Sequence, residues 1–73
     1  MVKVEFFGPI KKESLEVDVK NLKELKEILL KDESLKDWLK VSAVAVNEKI
    51  VDKLDIELND GDVVAILPPV CGG

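Results

Sequence analysis

A chain of 73 residues with 15 acids, 11 lysines, no arginine and no histidine carries a net charge of −4, and a length below ~100 residues leaves room for one small domain with one core. A domain this size keeps only about 60% of its unfolded surface out of water, so its apolar residues are needed for stability and a deep enzyme pocket is not expected. Without histidine there is no imidazole acid–base chemistry and no Cys/His zinc site, the one cysteine closes no internal disulfide, and the acidic balance disfavours nucleic acid as a partner. No basic segment leads an apolar run and no stretch nears ~18 consecutive apolar residues, so neither a membrane nor secretion is expected and the setting reads as cytoplasmic.

Val2, Val4 and Phe6 alternate with Lys3, Glu5 and Phe7, the period of a strand with one face buried. Gly8-Pro9 punctuates it, and Leu15, Val17 and Val19 resume the alternation, which predicts a hairpin. Asn21 then offers a helix cap, with Glu24 spaced to bond back to the Asn21 amide, and Leu22, Leu25, Ile28 and Leu29 form an apolar stripe. Ser34 reads as the cap of a shorter turn carrying Leu35, Trp38 and Leu39, with Trp38 as a core plug. A small-residue strand follows over Ala43–Val46, then a tight turn at Asn47-Glu48-Lys49 into an edge strand at Ile50-Val51.

Leu54, Ile56 and Leu58 lie in an irregular connection that ends in the turn Asn59-Asp60-Gly61-Asp62. Five apolar residues, Val63 to Leu67, then predict a central strand covered on both faces. A helix between the first hairpin and the later strands lets the last strand lie parallel to the first. The expected class is α+β: a ubiquitin-like β-grasp, with a mixed four- to five-stranded sheet on one main helix over residues 1–67 and an extended reactive tail over 68–73.

The tail reads Pro68-Pro69-Val70-Cys71-Gly72-Gly73. The prolines lack donors, end the ladder and hold the chain extended. Five residues from Pro69 to Gly73 reach about 16 Å at ~3.3 Å each. Two glycines make a thin end whose carboxylate, ionised at neutral pH, is an oxygen nucleophile able to attack the α-phosphate of ATP in a partner's active site.

Phe6-Phe7, Asn59-Asp60-Gly61-Asp62-Val63 and Pro68-Pro69-Val70-Cys71-Gly72-Gly73 together resemble the small, sulfur-carrier subunit of molybdopterin synthase over the whole length. The resemblance implies a non-catalytic sulfur donor that itself binds no cofactor. A partner resembling ubiquitin-activating enzymes, an adenylyltransferase, uses ATP to adenylate Gly73, with Gly72 as the slim link behind it. A sulfur donor protein then supplies the thiocarboxylate. The charged tail enters the large synthase subunit, in a heterotetramer, to build the dithiolene of molybdopterin from cyclic pyranopterin monophosphate in molybdenum cofactor biosynthesis.

Cys71 departs from the family, which usually has a small unreactive residue there. It is expected to act as a small hydrophobe, although a thiol two residues from an activated acyl group can also attack it or form a mixed disulfide. Phe7, placed by parity on the sheet face away from the helix, and Leu67 and Leu58, which match apolar contact positions of the family, are expected to touch partners with Pro68, Pro69, Val70 and Cys71. Partners of this acidic domain are expected to ring an apolar contact with Lys and Arg.

The same tail suits the thiazole-synthesis sulfur carrier of thiamine formation, which commonly lacks the double proline, and a ubiquitin-like modifier joined to lysines by isopeptide bonds. A non-covalent β-grasp binding module with an idle tail is the remaining alternative.

Overall fold

The computed structural model describes residues 1–8, 10 and 12–69. Its elements are β1 (Val2–Phe6), β2 (Leu15–Val17), α1 (Leu22–Leu30), α2 (Glu33–Val41), β3 (Ala43–Val46), β4 (Lys49–Val51) and β5 (Val63–Leu67). The five strands form one sheet in the order β2-β1-β5-β3-β4. β1 and β5 run parallel at its centre while the other pairs are antiparallel, as expected for the β-grasp.

Alternation in β1 does the predicted work. Val2 and Val4 are buried with Val64 and Ile66 of β5 and with Leu22, Leu25 and Leu29 of α1, and Phe6 packs against this cluster from the strand's end. Full burial of such side chains contributes ~1.5–3 kcal/mol each, so this one layer between sheet and α1 carries most of the domain's hydrophobic stabilisation.

α1 begins where Asn21 accepts the Glu24 amide at 2.8 Å. Glu24 reaches back to the Lys20 amide, also at 2.8 Å, one residue earlier than the spacing suggests, because Asn21 is fully extended (φ −152°, ψ 169°). Two amides of the first turn, which have no partner inside the helix, are taken by the irregular connection: Leu22 donates to the Ile56 carbonyl (2.9 Å) and Lys23 to that of Leu54 (3.1 Å). The acid-dotted segment before β5 is therefore a cap for α1.

The short turn expected after Ser34 is a second helix of nine residues, as long as α1. Its cap is Asp32, whose carboxylate accepts both the amide (2.9 Å) and the hydroxyl (2.6 Å) of Ser34 and pairs with Lys12. These contacts hold the Asp32 pKa down at about 2, the bond from Lys12 being the largest cause. Leu35 is buried, and Trp38 and Leu39 pack partly buried on the core.

β3 turns into β4 through Asn47 and Glu48, both at positive φ (49° and 72°), the geometry of a two-residue hairpin loop whose twist matches its strands. Among the described residues no helix is long and apolar enough to cross a membrane.

Candidate functional site: the open sheet face and the exit of the last strand

The pairing register sorts the sheet's side chains into two faces. Lys3 lies opposite Val63 and Glu5 opposite Ala65 in the parallel pair. Ala43 opposes Leu67 and Ala45 opposes Ala65 in the next, and Ile50 opposes Ala45 beyond it. Because alternate residues share a face, Phe7, Val63, Ala65, Leu67, Ala43, Ala45 and Ile50 occupy the side away from the helices, bordered by Lys3, Glu5 and, across from Lys3, Glu16. Val63, Ala65 and Leu67 are half-buried there. The expectation that β5 is covered on both sides is thus corrected: Val64 and Ile66 are enclosed by the core, whereas the opposite face remains partly open.

Phe7 stands on this open face at 45% exposure, in the place its parity predicts. By register its neighbour on β5 is the half-buried Leu67, with Ala43 beyond it and Ala65 and Ala45 flooring the next row of the face. Ile50 projects at the far side with 64% exposure. The alanines and Ile50 were not singled out from the sequence. Their signal was the run Ala43-Val44-Ala45-Val46, which puts small residues on one face and valines on the other.

Leu58 does not belong to this surface. It is 5% exposed inside the core cluster, and its amide donates to the Lys20 carbonyl at 2.9 Å. A side chain enclosed in this way has no area to offer a partner, so the expectation of a contact residue is corrected to a core residue.

At the exit of β5 the ladder closes with the Phe7 amide donating to the Ile66 carbonyl at 3.2 Å. Pro68, expected as the first residue of a free tail, is buried against Gly8. Its ring has no N–H to pair and an apolar edge that gains from leaving water, so it packs with the domain, whereas Pro69 is exposed. Val70, Cys71, Gly72 and Gly73 lie outside the described residues.

The opposite end of β5 is polar. Asp62 accepts the Asn59 amide (2.8 Å) and the Asn47 side-chain amide (3.0 Å), bonds that hold its carboxyl below the usual range. Among the described residues no group of three metal-ligating side chains comes together. The open face presents an apolar strip that runs to the point where the chain leaves the sheet.

Comparison with solved structures adds identity to this geometry. The chain is 53% identical to subunit 1, the small subunit, in a protein–protein complex of subunits 1 and 2 of molybdopterin-converting factor from Helicobacter pylori 26695, with a TM-score of 0.91 and coverage of 99% of this chain and 97% of that one. It shares its fold with SAMP1 from Haloferax volcanii (20% identity, TM-score 0.79, 99% and 98% coverage). A chain of the Amycolatopsis orientalis BexX/CysO complex is similar in the same way (24%, TM-score 0.75, 100% of both chains). Comparison with curated proteins finds no match. Residues 3–73, all but the first two, match the ThiS family, and the chain belongs to that family.

Proposed function

We propose that this chain is the sulfur-carrier subunit of a molybdopterin synthase, the assembly also called molybdopterin-converting factor. The observation that carries the reading is the 53% identity, over essentially the whole chain, to a protein that has been solved in complex with its partner subunit. The open apolar face supports it, because it offers a docking surface next to the exit of the tail. In this reading Phe7, Leu67, Ala65 and Ile50 meet the large subunit, while Pro69, Val70, Cys71 and Gly72 thread its active site and Gly73 presents the reacting group.

The carboxylate oxygen of Gly73 attacks the α-phosphorus of ATP in an activating adenylyltransferase, and pyrophosphate leaves. Hydrosulfide delivered by a donor protein then displaces AMP from the acyl carbon and leaves a thiocarboxylate, which gives its sulfur to cyclic pyranopterin monophosphate in the large subunit while water restores the Gly73 carboxylate. The domain contributes recognition and reach. The fixed sheet docks, and the slim segment beyond it enters a channel too narrow for the domain.

Intact mass spectrometry of the chain coexpressed with its activating enzyme and a sulfur source tests this. Replacement of one oxygen by sulfur, located at Gly73 and absent from a chain lacking Gly73, is the expected result. A tail found amide-linked to lysines of other proteins, or unchanged despite active enzyme, would overturn it.

A further inference from the structure

We propose that Glu5 decides which partner the open face accepts: with Phe7 it forms a seat for one arginine of the large subunit, whose guanidinium lies on the ring while its N–H groups donate to the carboxylate. This rests on the reading of the chain as a carrier that docks through that face.

The pairing register gathers the charges of the face in one place. Among the described residues paired across it only Lys3, Glu5 and Glu16 are charged, and all three stand on β1 and β2, to one side of the apolar strip. Lys3 has an acid on two sides, Glu16 across the strands and Glu5 two residues along β1. One lysine against two carboxylates leaves an excess of one negative charge. That excess falls beside the exposed aromatic ring, because Glu5 and Phe7 are alternate residues of one face, two steps of ~3.3 Å apart along the chain. On β5 the neighbour of Glu5 is Ala65, which carries only a methyl group.

The hold of Lys3 on Glu5 is loose. Nζ and Oε2 are 4.0 Å apart, with 47% and 38% of the two side chains exposed, and pairs of this kind contribute little to stability. Glu16 remains across from Lys3 to take the lysine over. Glu5 is therefore the acid of the group that a partner can claim.

The ring selects the kind of cation. A lysine ammonium is a compact point charge that holds its water strongly. An arginine head is flat and weakly hydrated, so it stacks on an aromatic face within ~6 Å of the ring centre and still directs N–H groups outward in its own plane. A ring and a carboxylate side by side on one sheet face match the second shape. Lys3 then acts against the partner's arginine, as a competitor for Glu5.

Calorimetry and stopped-flow binding of the full chain to the large subunit test the assignment. We expect Glu5→Gln to raise Kd about 10-fold, chiefly through faster dissociation, since docking encloses the cation and the variant leaves it without its partner. Glu16→Gln should stay within about 2-fold of wild type, and Lys3→Met should lower Kd by about 2-fold or more. With each arginine of the large subunit replaced in turn by lysine, double-mutant cycles should find one arginine coupled both to Glu5→Gln and to Phe7→Ala, and additivity for the rest. Equal losses from Glu5→Gln and Glu16→Gln that salt removes would reduce the face to steering by net charge and overturn the seat, as would weaker binding by Lys3→Met or the lack of any coupled arginine.

A small probe separates the seat from the carrier reading. In NMR titrations, N-acetylarginine amide should shift the Phe7 ring and Glu5 amide resonances more than N-acetyllysine amide does, and Glu5→Gln should erase the preference. A wild-type chain that does not bind the large subunit ends the carrier reading by itself, while an equal response to the two amides overturns the seat whatever the large subunit does.

Discussion

The two ends of β5 are held by opposite means. At its start, Asn47 donates its backbone amide to the Val63 carbonyl (2.8 Å) and accepts the Val63 amide on its side chain (3.0 Å), while Lys3 donates to the Asp62 carbonyl (2.9 Å) and Asp62 gathers Asn59 and the Asn47 side chain. At its finish one ladder bond from Phe7 is followed by the apolar contact of Pro68 with Gly8. Hydrogen bonds are directional and fix the start of the strand from three segments of chain. The finish trades them for shape, and the face beside it stays partly open. The strand is a beam clamped by hydrogen bonds at one end and held by packing at the other.

If that division is real, substitutions near the start should cost stability and spare recognition, and those near the finish should do the reverse. The largest effect is expected at Leu58, which ties the connection before β5 into the core. Leu58→Ala should destabilise the free domain by about 3 kcal/mol, lowering Tm by more than ~10 °C, with affinity of the folded fraction for the large subunit unchanged. Phe7→Ala should invert the pattern. It is expected to weaken association by about 2 kcal/mol, roughly 30-fold in Kd by calorimetry, while thermal melting of the free domain moves little, since nearly half of the ring already faces water. A collapsed Tm with unchanged affinity in that variant would place Phe7 in the core and reverse the faces of β1.

How legible this was in the sequence differs between the two ends for a physical reason. Periodicity reports which side of a strand is apolar, and so Val2, Val4, Phe6, Phe7 and the run Val63 to Leu67 placed the two central strands and the exposed aromatic at the end of β1. It does not report what covers a face, so an unbroken apolar run predicts cover on both sides of β5 where the chain itself encloses one. The burial of Leu58 and Pro68 is not visible in local pattern because it depends on partners distant in sequence, Lys20 and the core in one case and Gly8 in the other. Asp32 and Ser34 are both good caps, and the choice between them was settled by Lys12, twenty residues away. The family resemblance was legible because its motif is local: two prolines and two glycines need no tertiary partner to be recognised.

A smaller effect tests the clamp itself. Asn47→Gly keeps a residue that accepts φ 49° but removes the side chain that bonds Val63 and Asp62. The expected loss is about 1 kcal/mol in urea unfolding, without change in partner affinity. A loss of affinity as large as that of Phe7→Ala would mean that the start of β5 is part of the docking surface and that the strand is not divided as described.

The smallest effect is a matter of protons. Asp62 is held below its ordinary carboxyl value of 3.8 chiefly by the Asn59 amide and then by the Asn47 side chain, bonds that favour the charged form only when the chain is folded. The unfolded chain therefore binds this proton more readily, and stability falls as the unfolded state takes it up. The contribution is complete above the unfolded value and is lost as pH falls from about 4 through the lower folded value. Asp62→Asn should accordingly leave a stability gap from wild type that is constant at neutral pH and narrows below pH 4. Asp32, whose folded pKa lies at about 2 under the influence of Lys12 and Ser34, provides the control: Asp32→Asn should narrow its gap over the same side of the scale, from about 4 down to about 2. If the clamp is one unit, Asp62→Asn combined with Asn47→Gly should cost less than the sum of the two, whereas Asp32→Asn with Asn47→Gly should add, because neighbours that share hydrogen bonds couple and separate sites do not. Additivity in both pairs would show that the start of β5 is held by independent bonds, and the clamp would dissolve into its parts.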